Sequence, residues 1–199
     1  MGAAGVSRRK LWLLTFLGIA QTKFRRIGPY KMKKFFLLSI LGFLLVAPGG
    51  ALGWPATVVS VHDGDSLRIR DSYGKTQIIR LYGIDAPELE TDNWPKQPHS
   101  AESRDLLREL LRPGMRVDVR VDQDLRSYGR LVATVTLLDG RVVNKILLEE
   151  GAVWWYGQHC RKNFCREWRA AENRARSDKA GLWDGGDPIP PWEWRQKWD

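Results

Sequence analysis

The chain of 199 residues holds 32 Lys and Arg against 23 Asp and Glu, a formal net charge of +9. Nine of the basic residues and no acidic residue lie within residues 1–53, so residues 54–199 carry 23 of each sign and no net charge. The high pI therefore belongs to the N-terminal segment and excludes the argument that would read a basic domain as a nucleic-acid binder; any attraction for phosphate has to be local.

The first predicted element is a leader. Lys31-Met32-Lys33-Lys34 precedes the apolar run Phe35–Ala47 and the small, turn-rich stretch Pro48-Gly49-Gly50-Ala51-Leu52-Gly53. A basic start, an apolar run too short to span a bilayer comfortably and a small-x-small ending predict a signal peptide over 32–53, cut after Gly53 to leave Trp54 first. Residues 1–31 read as a gene-call extension or disordered leader, because the apolar stretch Leu11–Ala20 has no processing site of its own. An uncleaved signal anchor and a buried core helix are the alternatives. The expected location is secreted or periplasmic, with membrane contact only through an uncleaved signal. About 146 residues remain, enough for one domain with its own core.

Within that domain, alternating apolar runs predict strands near 56–61, 65–70, 76–82, 115–121 and 130–137, with Gly74, Gly114, Gly129 and Gly140 at the connections. Helices are predicted over 100–112, starting at Ser100 with Glu102 and Glu109 outward, over 142–150 and over 163–179. Five short strands with about three α-helices inserted and appended define an α+β class, a closed five-stranded barrel of the oligonucleotide-binding (OB) type over 54–184. Residues 185–199 form a Pro/Trp-rich C-terminal tail. Asp187-Pro188-Ile189-Pro190-Pro191 is too rich in proline for regular structure, so the tail is expected to run extended, with Trp192, Trp194 and Trp198 packed on the domain rather than stacked on bases.

The chemistry is concentrated between Asp63 and Glu88. Asp63 and Asp65 alternate at the start of a strand and can lean to one face, while Gly64 permits close backbone approach or a positive φ. Asp85 enters from the end of another strand, and Pro87 keeps Ala86 extended so that its carbonyl can point to the same place. Carboxylates plus a carbonyl suit calcium. Glu88 is then free to act as a base, and Arg80 and Arg130 supply positive charge for a phosphate. Arg80 stands between Ile79 and Leu81 in mid-strand, where an unpaired charge is costly, so it requires an anionic neighbour or ligand. Taken singly, Asp63 and Asp65 could cap a turn, and Asp85 and Glu88 could be surface carboxylates.

Three segments in order, Asp63-Gly64-Asp65-Ser66, Arg80 with Asp85-Ala86-Pro87-Glu88, and Arg126-Ser127-Tyr128-Gly129-Arg130, resemble the pattern of the thermonuclease (micrococcal nuclease) family, secreted bacterial type, over roughly residues 56–184. The resemblance implies an OB-fold domain that hydrolyses phosphodiester bonds of DNA or RNA and leaves 3′-phosphate ends. It implies calcium held by Asp65, Asp85 and the Ala86 carbonyl with Asp63 acting through water, Glu88 as general base, and Arg80 and Arg130 on the phosphate. Ala86 stands where the family has threonine, and Arg126 where it has aspartate. The family's base-stacking tyrosines have no one-to-one match; Tyr128, Trp155 and Tyr156 are the candidates. The chain is expected to act as a monomer.

Other groupings carry less. Asp122-Gln123-Asp124, assigned to a loop before Tyr128, reads as solvated. His159, Cys160 and Cys165 lack a fourth ligand for a structural zinc, and His62 and His99 have no partner at useful spacing. The charged face of 161–179 reads as a solvated amphipathic helix whose basic excess could guide a nucleic-acid backbone. An exported chain with an even pair of cysteines predicts a Cys160–Cys165 disulfide, provided that the third helix starts at or after Asn163. Two rival readings stay open, a catalytically inactive extracytoplasmic nucleic-acid-binding OB module and a membrane-anchored interaction module using the Pro/Trp tail.

Overall fold

The computed structural model describes residues 53–198, with the side chains of 122–126 excepted. The expected extension and signal peptide lie outside the described residues, apart from Gly53. Five strands close a barrel: β1 (Trp54–Val61), β2 (Ser66–Asp71), β3 (Thr76–Leu81), β5 (Arg116–Ser127) and β6 (Arg130–Leu137). Their order is β1-β2-β3-β6-β5. Neighbours run antiparallel except β3 and β6, which pair in parallel with Arg80 opposite Val132. A two-residue strand β4 (Ile84–Asp85) pairs outside the barrel with β7 (Trp154–Trp155), Asp85 opposite Trp154.

Alternation decides which side chains enter. Leu67 and Ile69, Ile79 and Leu81, Val117 and Val119, and Ala133 and Val135 are all buried at two-residue intervals, as a pleated strand with one face inward requires. Each is worth about 1.5–3 kcal/mol relative to exposure when it is a Val, Leu or Ile. Three helices lie where the periodicity puts them: α1 (Ser100–Leu110), α2 (Val143–Glu149) and α3 (Cys165–Ser177).

Two expectations need correction. The tail is not extended throughout: Pro191–Trp198 forms a fourth helix, α4. Proline fits the first helical turn, where its missing N–H has no partner to lose, and Glu193 early with Arg195 and Lys197 late suit the helix dipole. Residues 122–126 are not a loop, because β5 continues through Ser127 and pairs it with Arg130. Tyr128 and Gly129, at φ of 49° and 79°, make a two-residue hairpin turn of the kind that matches strand twist.

Asn144 ties α2 to the barrel. It is fully buried; its Nδ2 donates to the Tyr82 carbonyl at 3.0 Å and its Oδ1 accepts the Val135 N–H at 3.1 Å. Asn144→Ala leaves both backbone groups without partners and is expected to cost about 2–3 kcal/mol. Urea unfolding should show a lower midpoint at unchanged slope; a midpoint equal to the parent's would contradict this role.

Cys160 and Cys165 are joined in a disulfide, and α3 begins at Cys165, so the bridge spans the turn before the helix rather than the helix itself. Gly83, at φ 69°, lies against it: a Cβ there would come within 2.6 Å of the Cys160 Sγ. The bridge thus backs the turn that leads into Asp85.

Candidate active site

Asp63, Gly64 and Asp65 form the turn between β1 and β2. Asp63 Oδ1 accepts the Asp65 N–H at 3.0 Å, a local bond that shapes the turn. Gly64 serves through close approach: a Cβ there would stand 2.1 Å from Ser103 Oγ on α1 and 2.7 Å from the Ala86 Cβ. The turn is thereby pressed between α1 and the Ala86 loop. Asp65 is buried and accepts three hydrogen bonds, which leaves Oδ2 room for one more partner. Its Oδ1 accepts from Ser66 Oγ at 3.1 Å and from Arg80 Nη1 at 2.8 Å, and its Oδ2 accepts the Ala86 N–H at 2.9 Å.

The antiparallel register places Ser66 opposite Arg80, which brings the mid-strand arginine to the turn. Its second nitrogen, Nη2, pairs with Asp85 Oδ1. The anionic neighbours required by Arg80 are therefore Asp65 and Asp85. Arg130 follows the β5–β6 hairpin and reaches the same end of the barrel, with Nη1 donating to Ser66 Oγ at 3.1 Å and Nε to the Ser127 carbonyl at 3.2 Å. Glu88 is held by its backbone: its N–H donates to Gln97 Oε1 at 2.9 Å and its carbonyl accepts the Gln97 N–H at 2.9 Å.

One residue of the cluster escaped the sequence reading. Arg195, on α4, donates through Nη2 to Asp85 Oδ2 at 2.9 Å and pairs through Nη1 with Glu88 Oε1. Charges then alternate along Asp65, Arg80, Asp85, Arg195 and Glu88. The Pro191 start signal could have revealed the helix, but no local pattern reports a contact 110 positions away along the chain.

These groups open onto a cavity of about 840 Å³ whose lining includes Asp63, Arg80, Glu88, Arg130 and Arg195. Tyr128, Tyr156, His62, His159, Thr91 and Trp94 also line it, so two of the three candidate stacking residues face this space. Trp155 is absent from the lining; it sits against Gly157, with the Arg169 guanidinium 5.4 Å from its ring centroid. Tyr128 is 99 % exposed at the hairpin tip, whereas Tyr156 is stacked on Trp192 with centroids 5.2 Å apart. His62, set aside for want of a sequence partner, also lines a smaller cavity of about 70 Å³ with Asp63, Asp65, Ala86 and Glu88. His99 is instead the N-terminal boundary residue of α1. The side chains of Asp122, Asp124 and Arg126 lie outside the description.

Crowding shows in the protonation equilibria. Burial, followed by the neighbouring Asp65 charge, pushes Asp63 up to about 7. Burial and Asp65 also raise Asp85 in spite of Arg80 and Arg195, and burial raises Glu88 in spite of Arg195. Burial alone would lower Arg80, but Asp65, Asp85 and Asp63 reverse this and hold it firmly charged. These carboxyls bind protons more tightly in the folded than in the unfolded chain. Stability of the protein in chelator is therefore expected to fall as pH rises from about 4 to 7. Asp63, raised from the ordinary 3.8 to about 7, alone contributes on the order of 4 kcal/mol to that fall at about 1.36 kcal/mol per pH unit. Thermal melts at pH 5 and 7.5 should give the higher Tm at pH 5, and Asp63→Asn should flatten the difference; a higher Tm at pH 7.5 would contradict the assignment.

The donor chemistry, hard carboxylate oxygens in excess of nearby positive charge, fits a hard dication. Among the described residues no three or more His, Cys, Asp or Glu side chains already converge as a metal site. Asp65 and Asp85 are turned to arginines instead.

A closed five-stranded barrel with a carboxylate and arginine cluster at one end defines an OB-type protein with a charged cleft. The profile of the staphylococcal nuclease homologue family matches residues 78–185, and the chain belongs to that family. It is 36 % identical over 151 residues to an uncharacterized endonuclease of Escherichia coli O157:H7, covering 72 % of this chain and 91 % of the relative. It is 35 % identical over 118 residues to the staphylococcal-like nuclease CAN1 of Arabidopsis thaliana, covering 59 % of this chain and 33 % of that protein. Against endonuclease YhcR of Bacillus subtilis the identity is 29 % over 164 residues, 76 % of this chain and 13 % of the relative.

Proposed function

We propose that the protein is a calcium-dependent nuclease that hydrolyses phosphodiester bonds of DNA, RNA or both and leaves 3′-phosphate ends. The observation that carries this reading is the gathering of Asp65, Arg80, Asp85, Glu88 and Arg130 at one end of the barrel, where Arg80 joins Asp65 to Asp85, and Arg80, Glu88 and Arg130 line one cavity. Membership of a nuclease family and the nuclease names of its relatives support it.

In this reading Asp65, Asp85 and the Ala86 carbonyl hold calcium, with Asp63 engaged through water. Bound calcium supplies charge neutralisation and Lewis acidity toward a phosphate oxygen. Glu88 orients a water in line with the scissile bond and takes its proton as the oxygen–phosphorus bond forms. The bond to the 5′-oxygen breaks, and that oxygen recovers a proton from solvent. Arg80 and Arg130 face the charge that develops on the non-bridging oxygens. Tyr128 and Tyr156 are assigned to a substrate base in this reading, which their position in the cavity lining supports. Burial raises Glu88 above its ordinary value in spite of Arg195, which makes it a stronger base than an exposed glutamate.

We place the mature chain outside the cytoplasm, secreted or periplasmic, on the signal-like segment 32–53 and on the Cys160–Cys165 disulfide, which suits an oxidising compartment. Incubation with plasmid DNA and with single-stranded RNA, in calcium or in chelator, tests the activity. Cutting that requires calcium and yields 3′-phosphate ends is expected. Binding without cutting would favour the inactive nucleic-acid-binding module, and recovery of an uncleaved chain in the membrane fraction would favour the anchored one.

A further inference from the structure

We propose that Arg195 is a positioning residue of the site, clamping the carboxylates of Asp85 and Glu88 at a fixed separation so that the C-terminal helix α4 is a wall of the catalytic cleft. The proposal rests on the nuclease reading for the role of Glu88, but not for the contacts themselves.

Three features support it. The first is two-pronged geometry: Nη2 reaches Asp85 Oδ2 at 2.9 Å, while Nη1 pairs with Glu88 and stands 3.4 Å from Asp85 Oδ1. Guanidinium is planar and rigid, so one group bonded to two carboxylates fixes both in direction as well as distance. Asp85 is gripped from its other side by Arg80. The Glu88 carboxylate takes Arg195 as its side-chain partner, and without it the long glutamate side chain regains rotamer freedom.

The second is that α4 is anchored without help from these charges. Trp192 stacks on Tyr156 at 5.2 Å with the rings 12° apart, Trp194 Nε1 donates to the Pro95 carbonyl at 3.2 Å, and Gln97 Nε2 donates to the Ile189 carbonyl at 2.7 Å. Gln97 is the same residue that holds the Glu88 backbone. Helix and loop are thus located by packing, and the arginine is delivered to a prepared position, which is the condition for preorganisation.

The third is charge. Asp63, Asp65, Asp85 and Glu88 face Arg80 and Arg130; Arg195 adds a third positive group on the cavity wall and lowers the repulsion that a polyanionic substrate meets at a carboxylate-rich site.

The test compares Arg195→Ala and Arg195→Lys with the parent, in the chain as expressed and purified, on a short DNA oligonucleotide at saturating calcium. Parental cutting establishes the nuclease reading separately, and calorimetric calcium titration and thermal melts are run on all three proteins. Arg195→Ala should lose at least about tenfold in kcat, with KM raised by a clearly smaller factor as the added positive charge is lost, and Tm nearly unchanged, the pattern in which a lost orientation effect dominates. Millimolar guanidinium should restore part of that rate, and Arg195→Lys should fall between, having charge without the fork. Parental kcat in Arg195→Ala, or a kcat above it, would overturn the proposal. So would a loss that follows a fall in Tm, is equal in the lysine variant and is untouched by guanidinium, since that is the mark of a merely structural helix anchor.

Discussion

Glu88→Gln is expected to lower turnover by at least about a hundredfold, the usual scale of general-base loss. The substitution keeps the size of the side chain and an oxygen for Arg195 Nη1 to meet, and it leaves untouched the backbone bonds with Gln97 that hold the loop. Fold and calcium binding should therefore survive, as near-parental circular dichroism and calcium titration would report. The amide cannot take a proton from water, so a slow single-turnover rate should accompany normal substrate binding. Near-parental turnover in this variant would remove Glu88 from the role of base and shift attention to another group on the cavity wall, such as His62.

Arg80, Arg130 and Asp85 should separate by their response to calcium. Arg80→Ala and Arg130→Ala are expected to lose turnover, each by a factor of about a hundred or more if it faces developing charge on the phosphate, and added calcium should not restore it. Asp85→Asn should lose activity at ordinary calcium but regain part of it as calcium rises, because the damage falls on cation affinity. Arg80→Ala carries a second effect: it leaves Asp65 without one of its partners and Asp85 with Arg195 alone, so its stability should be measured in parallel. The same calcium response in all three variants would contradict the division into ligands and phosphate contacts.

Much of the barrel was legible because its strands carry a period-two signal that needs no partner to be recognised. Leu67 and Ile69, or Val117 and Val119, declare an inward face from the sequence, and Gly129 beside Tyr128 declares a tight hairpin. The helices over 100–110, 143–149 and 165–177 fall within a few residues of the expected spans. The short pair β4–β7 was not legible: two residues carry no periodicity, and the pairing of Asp85 with Trp154 exists only once the chain has folded back. Strand β5 ran past its expected end through Asp122 and Asp124, polar residues that resemble a loop when read alone but lie in a register irregularity between the β6 pairings Val121–Ala133 and Arg126–Leu131.

The site divides the same way. Asp65, Arg80, Asp85, Glu88 and Arg130 could be nominated because residue type and spacing already restrict the chemistry: buried mid-strand charge must find an opposite charge, and a proline turn orients what precedes it. Their distances and partners could not. That Arg80 bridges Asp65 and Asp85, that Arg130 bonds Ser66, and that Trp155 turns away from the cavity while Tyr156 faces it all follow from strand register and packing. Arg195 is the clearest case. The proline content of residues 187–191 suggested an extended tail, yet Pro191 opens a helix whose Trp192 and Trp194 dock on the domain, with Trp198 left against Trp194 on the exposed side, and whose arginine lands on Asp85 and Glu88. Local sequence determined the strands, the helices and the chemical identity of most of the cluster, since propensity, periodicity and charge act over a few residues. The tertiary structure alone decided which charges meet, because an ion pair between residues 85 and 195 is a property of the space the barrel and its appended helices enclose.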